Sequence, residues 1–138
     1  MKEKIINIFG GGCSGFSLIR RSNEIENTIF KFYLGENDNQ KDHYWAFWRD
    51  ESSKDFEDIC LKWSRWKIIN NKNEKIFYSN KYPYCIINKK KWINFCKNNL
   101  DRSKVTLIKK NVNEINSNYY VDDTKIQGDY FFDSRNIK

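Results

Sequence analysis

An apolar run, Ile5-Ile6-Asn7-Ile8-Phe9, leads directly into Gly10-Gly11-Gly12-Cys13-Ser14-Gly15. Gly10, Gly12 and Gly15 stand at the G-x-G-x-x-G spacing that cradles the pyrophosphate of a dinucleotide. The three glycines serve different ends. Gly10 allows a tight turn, Gly12 lets phosphate oxygens come close to bare backbone, and Gly15 lets the helix pack closely on the strand. Ser14 would open the helix, where free N–H groups and the helix dipole favour an anion. The glycines alone are a weak signal, and their context strengthens them. A strand-like run precedes them, and Phe16, Leu18 and Ile19 give the following segment an apolar helical face.

The elements that must hold this turn read as strand, helix, strand. Lys4 to Phe9 is the first strand, Ser14 to Asn23 the helix, and Ile29 to Leu34 the second strand, a βαβ opening. Just beyond it stands Glu36, about where an acidic residue hydrogen-bonds the adenosine ribose. Asp38 is the alternative, and a carboxylate in either place would repel a 2′-phosphate. Further on, Trp66 to Ile69 and Lys75 to Tyr78 flank a polar turn as a hairpin. Tyr82 to Ile87 reads as extended, and Asn88 as the N-cap of a helix running to about Leu100, with Trp92, Phe95, Cys96 and Leu100 on its apolar face. Val105 to Ile108 is a strand, a small meander surrounds Tyr119-Tyr120-Val121 and Lys125-Ile126, and Tyr130-Phe131-Phe132 is a last strand running into Asp133-Ser134-Arg135. The fold class expected is α/β.

Composition narrows the function classes. The 138 residues, 39% hydrophobic and 17% aromatic, suffice for one folded unit with its own core. The net charge of +7 raises the question of nucleic acid. The excess is lysine scattered among asparagines, with one dense run at Lys89-Lys90-Lys91, and no reader motif accompanies it; it reads as solvated surface without a nucleic-acid partner. Cys13, Cys60, Cys85 and Cys96 form no C-x-x-C pair and His43 is the only histidine, so neither a metal site nor a disulfide framework is indicated. Mostly buried thiols in a reducing cytoplasm fit this usage. The aromatic run Tyr44-Trp45-Ala46-Phe47-Trp48 reads either as core or as the lining of an apolar ligand's pocket.

These segments, in order, resemble a known family. Gly10 to Gly15, the D-x-x-W-x-F-W of Asp42 to Trp48, the stretch from Phe56 to Trp66, Tyr84 to Leu100, and G-D-Y-F-F-D-S-R at Gly128 to Arg135 are similar to the N-terminal portion of bacterial lycopene β-cyclases. The resemblance implies a Rossmann-like FAD/NAD(P)-binding domain of the glutathione-reductase type, incomplete and with a small β meander. Residues 1–138 would be a single N-terminal dinucleotide-binding region in which about 45–90 begins the substrate domain. It implies reduced FAD as cofactor, with NAD(P)H as reductant, and closure of lycopene's ends to β-ionone rings as a net isomerisation. Gly10, Gly12, Ser14, Gly15, Glu36, Asp133 and Arg135 would bind the flavin, while Trp45, Phe47 and Trp48 would line the substrate pocket.

Lycopene or a related linear carotenoid, a membrane lipid surface and a second chain completing the fold are the partners implied, with peripheral membrane association in the cytoplasm. Family members are longer, which points to a fragment, one half of a split enzyme or a decayed product. No catalytic acid is assigned: Asp50, Glu51 and Asp123 read as surface charges. Two rival classes stand beside this one. Another FAD-dependent enzyme, such as a monooxygenase, would share the glycines without the aromatic motif, and a basic binding module would use Lys89 to Lys91 as its contact surface.

Overall fold

The computed structural model describes residues 3–35, 42–52 and 60–135. In chain order the elements are β1 (Lys4–Phe9), α1 (Cys13–Ile19), β2 (Thr28–Tyr33), β3 (Tyr44–Trp48), β4 (Cys60–Trp63), β5 (Arg65–Ile69), β6 (Glu74–Tyr78), β7 (Tyr84–Asn88), α2 (Lys89–Asn98), β8 (Val105–Ile108), β9 (Asn113–Ile115), β10 (Asn118–Val121), β11 (Thr124–Lys125) and β12 (Tyr130–Asp133). A 3-10 turn over Ser22–Glu24 follows α1. The chain divides into two compact units, Met1–Gln40 with Ile93–Lys138, and Lys41–Trp92.

In the first unit, four parallel strands lie in the order β12-β1-β2-β8. Ile6, Asn7, Ile8 and Phe9 of β1 are all buried, so this strand is covered on both faces, which is why it reads as a continuous apolar run. Alternation divides its side chains. Ile6 and Ile8 pair across to Phe30 and Phe32 of β2, and Phe32 meets Phe16 of α1 edge-to-face at 5.0 Å. Lys97 of α2 lies over the same Phe16 ring. Phe9 points the other way, into a cluster with Tyr33, Val112 and Ile126 against which Ile108, Tyr119 and Val121 pack. That side is the three-stranded meander β9-β10-β11, whose turns place Asn116, Ser117, Asp122 and Asp123 at positive φ. Asn and Asp tolerate this left-handed conformation best, as two-residue hairpin turns require.

Strand β12 returns to β1 through the link at Gln127 to Asp129. Asn7, fully buried, donates its amide to the Gln127 carbonyl at 3.2 Å, and a Cβ on Gly128 would sit 2.0 Å from that amide nitrogen. Asp129 exchanges bonds with Ile5: its N–H donates to the Ile5 carbonyl and its carboxylate accepts the Ile5 N–H, each at 2.8 Å. The register of β12 is thereby set before its first ladder pair.

The second unit holds a three-stranded antiparallel sheet, β3-β7-β4, and a separate two-stranded hairpin, β5-β6. Cys85 and Ile87 of β7 are buried on the face that carries Trp45 and Phe47. As expected from its sequence, Asn88 caps α2, its side-chain oxygen accepting the Lys91 N–H at 3.0 Å. Of the helix face expected, Trp92, Cys96 and Leu100 are buried, joined by Ile93, while Phe95 is only half-buried.

The expected fold class needs correction. Strands make up 44% and helices 17% of the described residues, distributed over several small sheets that mix parallel and antiparallel pairing, rather than a Rossmann-like domain of glutathione-reductase type with one small meander. The physical reason lies in the composition of the middle of the chain. Its runs of Trp, Tyr, Phe and Ile favour pleated pairing, and short polar turns join them into local antiparallel strands in place of long crossover helices. The first helix is also shorter than expected, ending at Ile19 before the 3-10 turn.

Phe30, 1% exposed, tests the packing of the parallel sheet. Phe30→Ala is expected to cost about 3–5 kcal/mol in urea unfolding, whereas an effect below about 1 kcal/mol would mean the sheet is not packed as described.

Candidate functional site

Of the four glycines in the turn after β1, Gly10, Gly12 and Gly15 stand at the fingerprint spacing, and their surroundings differ. Gly10 has φ of +100°, and a Cβ there would stand 2.9 Å from the Ser134 hydroxyl. Gly15, inside α1, faces the start of the turn: its Cβ would meet the Gly10 carbonyl oxygen at 2.2 Å and the Phe32 ring at 3.0 Å. Both glycines are therefore required by the fold itself, one by conformation and both by contact.

Gly12 differs. Its backbone, φ −81° and ψ −170°, is extended and open to any residue, and a Cβ there would meet nothing within 4 Å. Nothing in the described structure excludes a side chain at this position. The space beside Gly12 is open, which fits close approach of a phosphate group to the backbone. Ser14 is exposed in the first turn of α1, and Gly12 supplies the first helical carbonyl, accepting the Phe16 N–H at 3.2 Å.

The last strand holds this turn in place. The Ser134 hydroxyl donates to the Phe9 carbonyl at 2.8 Å and shares its proton with the Gly10 carbonyl at 3.1 Å, and the Ser134 N–H donates to Phe9 at 2.8 Å. On the other flank, the Gly10 N–H donates to the Tyr33 carbonyl at 3.0 Å. Ser134 is the residue that touches the turn directly, between the two residues singled out from sequence. Its one signal in the sequence is its place at the C-terminal end of a parallel strand.

Asp133 and Arg135 bind each other. The Arg135 guanidinium donates through Nε to Asp133 Oδ1 at 2.9 Å and through Nη2 to Oδ2, a bidentate pair, and its Nη1 donates to the Val112 carbonyl. The same guanidinium lies 5.5 Å over the Phe9 ring and 5.9 Å from the Tyr119 ring. These hydrogen bonds from Arg135 hold the Asp133 carboxyl below the usual carboxylate range, and the bond to Asp133 raises Arg135 in turn. The pair thus clasps the end of β12 to the meander side of the sheet. Glu36 and Asp38 lie outside the described residues, next to Gly35, which has φ of +70°.

The aromatic trio divides. Along β3, Trp45 and Phe47 are half-buried on one face, while Trp48 points to the other and is 60% exposed. Trp45 donates its indole N–H to Nε2 of His43 at 2.8 Å. Trp48 meets Tyr84 edge-on at 5.4 Å and Trp66 at 6.4 Å. By register, Trp48, Tyr84 and Trp63 form one cross-strand aromatic row. The three residues therefore line no common pocket; one surface of the sheet carries Trp48 and its row.

Of the carboxylates, Asp50 accepts from the N–H and hydroxyl of Ser52, Glu51 bonds Lys62, and Asp123 sits at positive φ in the β10-β11 turn. The cysteines are free: Cys85 and Cys96 are buried, as expected, with burial raising their thiols to about 11 and about 12, while Cys13 is exposed. Among the described residues no helix is long and apolar enough to cross a membrane.

No protein-family model matches the chain, and no curated protein does. Twelve solved chains resemble its structure. One is the peptidyl tryptophan dihydroxylase QhpG, described as essential for tryptophylquinone cofactor biogenesis, with TM-score 0.57 and 10% identity. The match covers 96% of this chain and 32% of QhpG, so the chain spans about a third of its neighbour's length. At that identity the likeness is one of fold. QhpG is an enzyme; its reaction is its own.

Two tests follow from the geometry. Gly15→Ala is expected to destabilise by about 1–3 kcal/mol through overpacking, and Gly12→Ala to leave stability unchanged or raise it by up to about 1 kcal/mol, measured by urea unfolding. Equal losses would show that the turn is not built this way. For the clasp, a folded carboxyl held below its unfolded value stabilises above the ordinary carboxylate range and loses that contribution as pH falls through the lowered value. Wild type is therefore expected to lose stability from about pH 4 downward more steeply than Asp133→Asn; parallel acid profiles would remove the clasp.

Proposed function

We propose that the turn over Gly10 to Gly15 receives the pyrophosphate of FAD, and that the chain is the flavin-binding portion of a lycopene cyclase-like enzyme. The observation that carries the cofactor reading is the open space at Gly12, the one glycine of the three for which neither backbone conformation nor packing in this chain gives a reason. The resemblance of the Asp42 to Trp48 and Gly128 to Arg135 segments to bacterial lycopene β-cyclases supports the substrate class. That QhpG, a fold neighbour, is an enzyme accords with a catalytic role.

In this reading the chain's own residues do the following. Gly12 leaves backbone bare beside the phosphates, Gly10 and Ser134 hold the turn that presents it, and Asp133 with Arg135 fixes the strand end behind it. When bound and reduced, with NAD(P)H as reductant, FAD supplies negative charge against which a carbocation-like transition state of ring closure is stabilised. The exposed Trp48 row offers ring faces against which an apolar polyene could lie. The proton donor is not assigned among these residues.

The experiment is FAD titration followed by flavin fluorescence. Wild type is expected to bind, and Gly12→Val to keep its circular-dichroism spectrum while binding falls below detection. Equal binding by both, or none by folded wild type, contradicts the cofactor reading. For the substrate, lycopene in mixed micelles is expected to shift its absorption with wild type and not with Trp48→Ala; no shift with either contradicts it.

A further inference from the structure

We infer that Cys60 and Cys85 are a redox pair: a hydroperoxide oxidises Cys60 beside the Arg49 guanidinium, and Cys85 then closes a reversible disulfide with it, joining β4 to β7. The ladder places both residues on one face of the sheet. Cys60 stands opposite Ile87 and Lys62 opposite Cys85, so the two cysteines are diagonal neighbours on the side that carries Ile87. Both thiols are free, and they share a hydrogen bond. Cys85 also donates to the Pro83 carbonyl at 3.8 Å.

The surroundings assign different roles to the two sulfurs. Cys60 is half-buried and within reach of a small oxidant, whereas Cys85 is fully buried. Arg49, itself only 4% exposed, donates from Nη1 to the Cys60 sulfur at 3.9 Å. A cation beside a partly exposed sulfur is the setting in which a thiolate is oxidised selectively. The nearby carboxylate, Glu51, is bonded by Lys62, which stands opposite Cys85 on the same face. Burial, and then the nearness of Cys60, push the Cys85 thiol up to about 11, so Cys85 keeps its proton and enters second.

In the first step the Cys60 thiolate attacks a peroxide oxygen and the O–O bond breaks. Cys60 becomes a sulfenic acid, and the leaving oxygen takes a proton to depart as water or an alcohol. In the second step the Cys85 sulfur attacks the Cys60 sulfur, the S–O bond breaks, and hydroxide leaves as water with the proton that Cys85 gives up. Two thiols have then lost two electrons and two protons, and the peroxide has been reduced. Diagonal neighbours stand about 7–8 Å apart at Cα, so closing the bond needs some backbone movement. The strand β4 can supply it, because it is a four-residue edge strand whose ladder, among the described residues, runs to β7 alone. A bond closed in this way yields readily to a reductant. The inference rests on these two strands and stands whether or not FAD binds.

The test is hydrogen peroxide added to the reduced full chain, followed by rapid alkylation and peptide mass spectrometry. The expected product is a peptide linking Cys60 to Cys85, about 2 Da lighter than the two thiol peptides together, which dithiothreitol returns to free thiols. Cys13 is the internal comparison: it is the more exposed thiol, yet Cys60 is expected to react faster. In Cys85→Ser, dimedone is expected to label Cys60 as a sulfenic acid, and in Cys60→Ser, Cys85 is expected to remain a thiol. Arg49→Met, folded by circular dichroism, is expected to slow oxidation of Cys60 about tenfold, with Arg49→Lys within about threefold of wild type. Cys60 that keeps its thiol in peroxide overturns the inference, as does oxidation of Cys13 ahead of it. Passage of Cys60 to sulfinic acid in wild type without a link to Cys85 also overturns it, and so does an undiminished rate in Arg49→Met.

Discussion

The Ser134 hydroxyl lies between the carbonyls of Phe9 and Gly10 while the Tyr33 carbonyl accepts the Gly10 N–H from the opposite side. A strand from the start of the chain is thus held between one neighbour that follows it closely and another that arrives more than a hundred residues later. Parallel pairing with distant partners is costly in loop entropy, and here that cost is offset by burying both faces of β1. With β12 in place, Gly10 has a fixed left-handed turn, Gly15 can close on its carbonyl, and Gly12 is left bare. If β12 shifted by one residue, the serine would leave the turn and aromatic side chains would exchange faces. The backbone at Gly12 is presented only because the far end of the chain holds it so.

The same dependence explains several glycine and polar positions that composition alone leaves unexplained. Gly128 is small because Asn7 fills the space over it; the Asn7 amide nitrogen donates to the Gln127 carbonyl, while its Oδ1 is buried without a hydrogen-bond partner among the described residues. Asp133 and Arg135 satisfy each other and a main-chain carbonyl. An ion pair so enclosed fixes geometry, since removal of one partner would leave the other charge poorly solvated. Charge at this end of the sheet serves rigidity.

Much of the local structure is legible in the sequence because it is set by short-range pattern. Lys4 to Phe9 and Val105 to Ile108 have the bounds read from their apolar runs, the hairpin around Asn70 to Asn73 follows from alternation and a polar turn, and Asn88 is a helix cap by residue type alone. The arrangement of those pieces is not legible in the same way. Strand and helix periods say nothing of partners far along the chain, so the βαβ opening misleads about the number of small antiparallel sheets, and with it the fold class. At the site, the glycine spacing identifies the turn, but which glycines are held by contact and which has open space beside it depends on Phe32 and Ser134, distant in sequence. Trp45, Phe47 and Trp48 read as one group in the sequence, yet strand alternation sends Trp48 to the other face.

The central claim is that bare backbone at Gly12 is held open for a phosphate group, and amide chemical shifts read it most directly. With the chain labelled in 15N and titrated with FAD, the account predicts saturable shifts concentrated at Gly10 to Gly15 and at Ser134, and displacement of the flavin by ADP. Saturation that leaves those amides unmoved while others shift, or a spectrum indifferent to FAD, would contradict it.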